Sequence, residues 1–174
     1  MIKTSNLPLD LLDVSRMAVR FYVDQYFTKA AIKRLESITL AFRKMSDGEL
    51  GNAHYEENGR KLPCEFTIEF NNDNRDIPVR DHLHTLMHEM THVKQYADGR
   101  LKLRHLHDLW EGQRFDPTKD YWSQPWEVEA QGIEVSAYQL FTEKHPELQL
   151  ERFRPVYEGR AASNWLGKAP WISQ

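Results

Sequence analysis

From about Arg80 to Ala97 the chain carries apolar residues at helical spacing, Leu86, Met87, Met90 and Val93 among them, and Asp98-Gly99 closes the run. A helix with such a stripe needs an apolar surface to cover it, and the preceding residues offer one. Cys64–Asn71 alternates cleanly: Phe66, Ile68 and Phe70 point one way and Glu65, Thr67 and Glu69 the other, the pattern of a half-buried strand. Ser37–Arg43 and Leu50–Glu56 are two further strand candidates, with turn signals at Ser46-Asp-Gly48 and Asn58-Gly59. Earlier still, Leu12, Met17, Val19, Phe21, Val23, Phe27 and Ile32 recur at helical spacing between Leu9 and Arg34, as one long helix or two shorter ones, with Asn6 or Asp10 able to cap the start. A last helix opens at Pro125, a residue suited to the first helical position, and runs to about Glu143. Residues 101–124 read as irregular, with a short strand at Leu109–Phe115, and the C-terminal tail has no assignment. Helix, three strands, helix, irregular segment and helix, in that order, predict an α+β fold and not a doubly wound sheet.

Length and charge narrow the function. A chain of 174 residues fits one domain over 1–174. With 26 acidic and 23 basic residues the net charge is −3, which gives no support to a general nucleic-acid binder. The single cysteine, Cys64, excludes an intramolecular disulfide and a Cys-based zinc ribbon, and reads as a buried structural thiol. No apolar run approaches a membrane span, and Asp10 and Asp13 stand where a signal peptide would need its apolar stretch. The expectation is a soluble, cytoplasmic protein with no membrane partner.

Chemistry enters at His88-Glu89-Met90-Thr91-His92, inside the helix from Arg80. Histidines at i and i+4 lie one above the other on a single face, so both imidazoles can reach one metal ion. Zn²⁺ accepts neutral imidazole nitrogen, and a helix holds the pair without loop entropy. Glu89 projects about 100° round the helix from His88, where it can take a proton from metal-activated water without being a ligand. The bland alternative is a solvated helix face. It fits poorly, because the motif sits in mid-helix above apolar residues.

A catalytic zinc site typically has three protein ligands and an open position. The residues themselves leave several sources for the third: Glu127 and Glu129 at the start of the last helix, and His105 and His107 in Arg104-His-Leu-His-Asp108, where solvated histidines in a basic loop are the plainer reading. Glu127 and Glu129 point about 200° apart, so one helix orientation cannot offer both to the same ion. Each borders the apolar face of Trp126, Ala130, Ile133, Ala137 and Phe141 on a different side. Glu127 shares its side with Gln131, Glu134 and Tyr138, groups able to bond a ligand histidine or face substrate. Glu129 shares its own with Gly132, Ser136 and Glu143, which look like an ordinary solvated flank.

His88-Glu-x-x-His92 followed by Glu127-x-x-Ala130 resembles the zincin metallopeptidases, and within them the gluzincins, whose third ligand is a Glu on a later helix. The similarity covers roughly residues 37–142. It implies a zincin-like fold with a small mixed or antiparallel sheet before the active-site helix, Zn²⁺ held by His88, His92 and Glu127, Glu89 as general base, and a peptide or protein substrate. It further implies an edge strand that receives an extended peptide, a role open to Cys64–Asn71. Several such families read Glu-x-x-Ala-Asp; here Gln131 replaces the Asp that would bond a ligand. The motif also resembles SprT-like domains, which act on DNA–protein crosslinks and supply a third His some 15 residues on. His107 has the spacing, but Asp108 follows it in place of Gly. A third possibility is a non-catalytic metal-binding module on a zincin fold.

Other residues have two readings each. His84 lies one turn before His88 and can approach substrate, though a histidine near a helix start is commonly just exposed. Tyr96, Tyr121 and Tyr138 are candidates for stabilising an oxyanion, against ordinary core packing. Trp110, Trp122 and Trp126 can wall a pocket or simply be buried, and Lys102 with Arg104 most simply forms a solvated basic cluster.

Overall fold

A computed structural model describes residues 1–46, 48–74, 76–103, 107–116 and 120–150. The unassigned tail, and with it the end of the 1–174 domain assignment, lies outside the described residues. The described chain is α+β, with four helices and two small sheets. None of its helices is long and apolar enough to cross a membrane.

The periodic stretch at 9–34 resolves into two helices, α1 (Leu9–Tyr26) and α2 (Lys29–Arg34). Thr28 divides them, because its hydroxyl accepts from the Ala31 N–H at 3.1 Å and so starts a new helix. Neither Asn6 nor Asp10 caps α1: Pro8 holds the cap position and Asp10 lies within the first turn. Ile2–Ser5 forms a strand, β1, that the sequence did not announce. β2 (Ser37–Arg43), β3 (Gly51–Tyr55) and β4 (Glu65–Asn71) complete a four-stranded sheet in the order β1-β2-β4-β3. β1 and β4 both run parallel to β2, and β3 is antiparallel to β4, with Ala53 opposite Ile68.

This order corrects the edge-strand expectation. Cys64–Asn71 is not an edge: β4 is hydrogen-bonded on both sides, and the edge strands are β1 and β3. The reason lies in burial. Phe66, Ile68 and Phe70 are all but inaccessible, as are Ile38, Leu40 and Phe42 of β2, and the two strands together make the apolar floor on which α3 (Val79–Ala97) rests. From α3 come Leu83, Leu86, Met87, Met90 and Val93, all fully buried. α1 packs on the other flank of α3, where the Tyr22 and Thr91 hydroxyls share a hydrogen bond of 2.7 Å and Ser15 bonds His82 Nε2 at 2.9 Å.

The segment expected to be irregular instead carries a second sheet, β5 (Leu101–Lys102), β6 (Asp108–Trp110) and β7 (Gln113–Phe115), all antiparallel. The single strand read at 109–115 is a hairpin. Glu111 and Gly112 turn it with φ of 50° and 84°, the left-handed pair that a two-residue hairpin loop requires. A single 3₁₀ turn at Tyr121–Ser123 then leads into α4 (Pro125–Lys144), which packs against α3, Tyr138 on His84, and buries Trp126, Ala130, Ala137 and Phe141 as well.

Candidate metal centre

The i, i+4 spacing on α3 sets the His88 and His92 rings 4.8 Å apart, with their Nε2 atoms 3.1 Å from each other. Glu127 reaches them from the first turn of α4, where the helix dipole favours a carboxylate. Its oxygens lie 3.2 Å from His88 Nε2 and 3.4 Å from His92 Nε2. One donor atom from each of the three lies within 4.8 Å of the others, the one such group of His, Cys, Asp or Glu among the described residues. α4 is anchored for this by Trp126, whose ring is 5.5 Å from Phe115 and 6.2 Å from Trp110.

The far nitrogens of both rings are occupied. His88 Nδ1 lies 2.8 Å from Glu134 Oε2, and His92 Nδ1 lies 2.9 Å from Gln95 Oε1. A neutral imidazole has one ring proton. With that proton on Nδ1 in each ring, two Nε2 lone pairs and a Glu127 oxygen converge on one point. Glu127 Oε2 is buried there without a hydrogen bond. Mutual repulsion of such a group is relieved by a proton or a cation. Two imidazole nitrogens and one carboxylate oxygen are the donor set of a catalytic zinc site, so the residues fit that ion.

Proton balance follows from the same geometry. Burial works against an imidazolium at His88, yet the carboxylates of Glu127 and Glu134 outweigh it and hold the ring up at about 10. His92 is also raised: burial opposes its charge, but Glu127 and Glu89 prevail. Burial pushes the Glu127 carboxyl up, but the two histidines hold it down at about 2.

Glu89 is buried and outside the donor group, on the side of α3 that faces β3. Burial raises its carboxyl, and Glu127 and Glu134 add to the push against the pull of His92 and His88. Gly51 makes its placement possible. A Cβ there would fall 2.9 Å from Thr85 Cγ2 and 3.1 Å from Glu89 Oε1, so β3 passes the carboxylate more closely than a residue with a side chain would allow.

The other named residues fall elsewhere. Glu129 does not join the donor group, and it is not an idle flank: Arg100 Nη1 donates to both its oxygens at 2.8 and 3.0 Å, and Gln95 Nε2 donates to one of them at 2.8 Å. The helical turn between Glu127 and Glu129 sends the second carboxylate toward α3's C-terminal end, where that guanidinium waits. His107 stands half-buried just before β6, outside the donor group, while His105 and Arg104 lie outside the described residues. Gln131 bonds neither His88 nor His92, and its buried Nε2 has no acceptor among the described residues. Glu134, one helical turn beyond Gln131, bonds His88 in its place.

His84 stacks on the fully buried Tyr138 at 4.3 Å, and burial lowers its imidazole. Tyr96 is buried against Tyr55, which leaves Tyr121, half exposed in the 3₁₀ turn beside Glu127, as the tyrosine with access to the centre. Cys64 is buried away from the centre, its sulfur accepting from Asn58 Nδ2 and Arg60 Nη1 at 3.3 and 3.0 Å. Gln95 and Arg100 were not singled out by sequence reasoning. Gln95 was legible in principle, since i+3 from His92 is a contacting position. No family model, characterised protein or solved structure matches the chain.

Proposed function

We propose that this protein is a zinc-dependent metallopeptidase of gluzincin type, with His88, His92 and Glu127 as ligands and Glu89 as general base. The observation that carries the reading is the convergence of two Nε2 atoms and a buried carboxylate on one point while both Nδ1 atoms are engaged behind them. Bound there, zinc supplies Lewis acidity toward a carbonyl oxygen and makes water more acidic. Glu89, next to the first histidine and held clear of the ligand set, accepts one proton as the water oxygen attacks the carbonyl carbon. The same carboxyl then returns that proton to the amide nitrogen as the C–N bond breaks, leaving a carboxyl group, which keeps the water's other proton until it ionises, and an amine. Glu134 keeps the His88 ring oriented throughout. The peptide class rests on the family resemblance and on β3, an edge strand that passes beside Glu89 at Gly51 and so can receive an extended chain there.

Elemental analysis of untagged protein, purified without chelator and dialysed after zinc incubation, is expected to find about one zinc per chain. Glu89→Gln is expected to keep that zinc and lose cleavage of a fluorogenic peptide library, because an amide cannot accept the proton. Protein that stays metal-free overturns the reading. Zinc held with no turnover by the wild type points to a binding module.

A further inference from the structure

We infer that Gln95, Glu129 and Arg100 form a relay of positioning residues that fixes the ring proton of His92 on Nδ1 and so reserves its Nε2 for the metal. The inference rests on the zinc reading above and extends it to residues that touch neither metal nor substrate.

The relay runs from surface to centre. Arg100 is pinned first: its Nε and Nη2 donate to Glu111 at 2.9 and 2.7 Å, its carbonyl accepts from the Glu111 N–H at 2.7 Å, and its guanidinium lies 4.4 Å from the centre of the Trp110 ring. The left-handed Glu111-Gly112 turn is what brings that carboxylate round. Held this way, Arg100 grips both oxygens of Glu129. Glu129 Oε2 therefore stays 2.8 Å from the Gln95 amide, which also lies 3.0 Å from the Trp126 carbonyl oxygen.

Two acceptors on one side of a buried amide decide which way it faces. Gln95 is 1% exposed. Its NH₂ must point at Glu129 and Trp126, because the flipped amide would set oxygen against oxygen twice, with both hydrogen bonds lost. Its Oε1 then faces His92 Nδ1 at 2.9 Å and can only accept. His92 must carry its proton there, and its Nε2 is left as a lone pair toward the centre. His88 is fixed by one carboxylate directly, His92 by three groups in series. This gives Glu129 a role despite its place outside the donor group.

The test is zinc affinity by competition with a chromogenic chelator, together with ¹⁵N NMR of the histidine rings in zinc-loaded protein. Wild type is expected to show a protonated Nδ1 and a coordinated Nε2 at His92. Gln95→Leu is expected to weaken zinc binding by about 10–100-fold. Glu129→Gln, at a partly exposed position that should not disturb folding, is expected to weaken it less, because its amide tolerates either orientation of Gln95. Gln95→Glu alone sets two carboxylates together; combined with Glu129→Gln it restores a donor facing an acceptor, and the pair is expected to bind zinc more tightly than Gln95→Glu by itself. A role in packing alone predicts neither the ring signature nor that recovery. A zinc-binding wild type coordinated through Nδ1, or unchanged affinity in both Gln95→Leu and Glu129→Gln, overturns the relay and leaves the zinc reading standing. A wild type that binds no zinc overturns both.

Discussion

Glu134 lies two turns beyond Glu127 on α4, and its carboxylate meets His88 Nδ1 at 2.8 Å. It is expected to raise the basicity of that ligand and hold its ring, so Glu134→Ala should weaken zinc binding by about 10–100-fold while leaving the donor count intact. Glu127→Ala removes a donor and should weaken it further, and His107→Ala should change nothing; chelator competition ranks the three, and His107→Ala as the most damaging would overturn the ligand assignment. At this scale the sequence was informative where spacing alone places a group. His88 and His92 follow from i, i+4 geometry, and the stripe shared by Glu127 and Glu134 follows from helical pitch. Glu129 was not legible, because its partner Arg100 follows α3 and no periodicity reports which side chains two packed helices bring face to face. The replacement of an Asp by Gln131 suggested a missing bond to a ligand, and Glu134, one turn later on the same face, supplies one.

Between elements, the contact of α1 with α3 carries a titratable group far from solvent. His82 is 1% exposed, lies between Phe42 and Phe70, and takes its hydrogen bond from or gives it to Ser15. Burial brings its imidazole down to about 4, with only a small opposing pull from Asp10. A folded-state value below the unfolded one means that the stability is fully present above about pH 6.5 and is lost as pH falls toward 4. The loss attributable to this ring is about 3 kcal/mol across that window, from 1.36 kcal/mol per unit. Urea titrations at stepped pH should show His82→Leu with a shallower acid decline than wild type; parallel slopes would remove His82 from the account. Strand β4 and helices α3 and α4 were legible because their patterns are long and regular. β1 is four residues, too short for alternation to register, and the hairpin of β6 and β7 hid in a segment whose apolar residues are few. Sheet order was not legible at all. Periodicity says that β4 has one apolar face, not which neighbours bond its two edges.

Seen whole, the molecule places its donors on two helices that are separated in sequence by the second sheet and joined in space at the centre. An ion that binds the folded chain and not the unfolded one stabilises it by mass action, by about 2.7 kcal/mol at a hundredfold excess over Kd. For a chain of this size that corresponds to a rise in Tm of about 5–10 °C on adding zinc to metal-free protein, reversed by chelator. A Tm that zinc does not move would mean that the ion fails to bridge α3 and α4. The fold itself stands on the apolar floor beneath α3, with its fully buried Leu83, Leu86, Met87, Met90 and Val93, on the opposite side of that helix from the centre. Glu89 adds nothing to that support. Its carboxyl is raised by burial, so ionising it costs more in the folded state than in the unfolded chain. Activity and robustness should therefore pull in opposite directions at this residue: metal-free Glu89→Gln is expected to melt at a higher temperature than metal-free wild type, the inactive protein being the sturdier of the two.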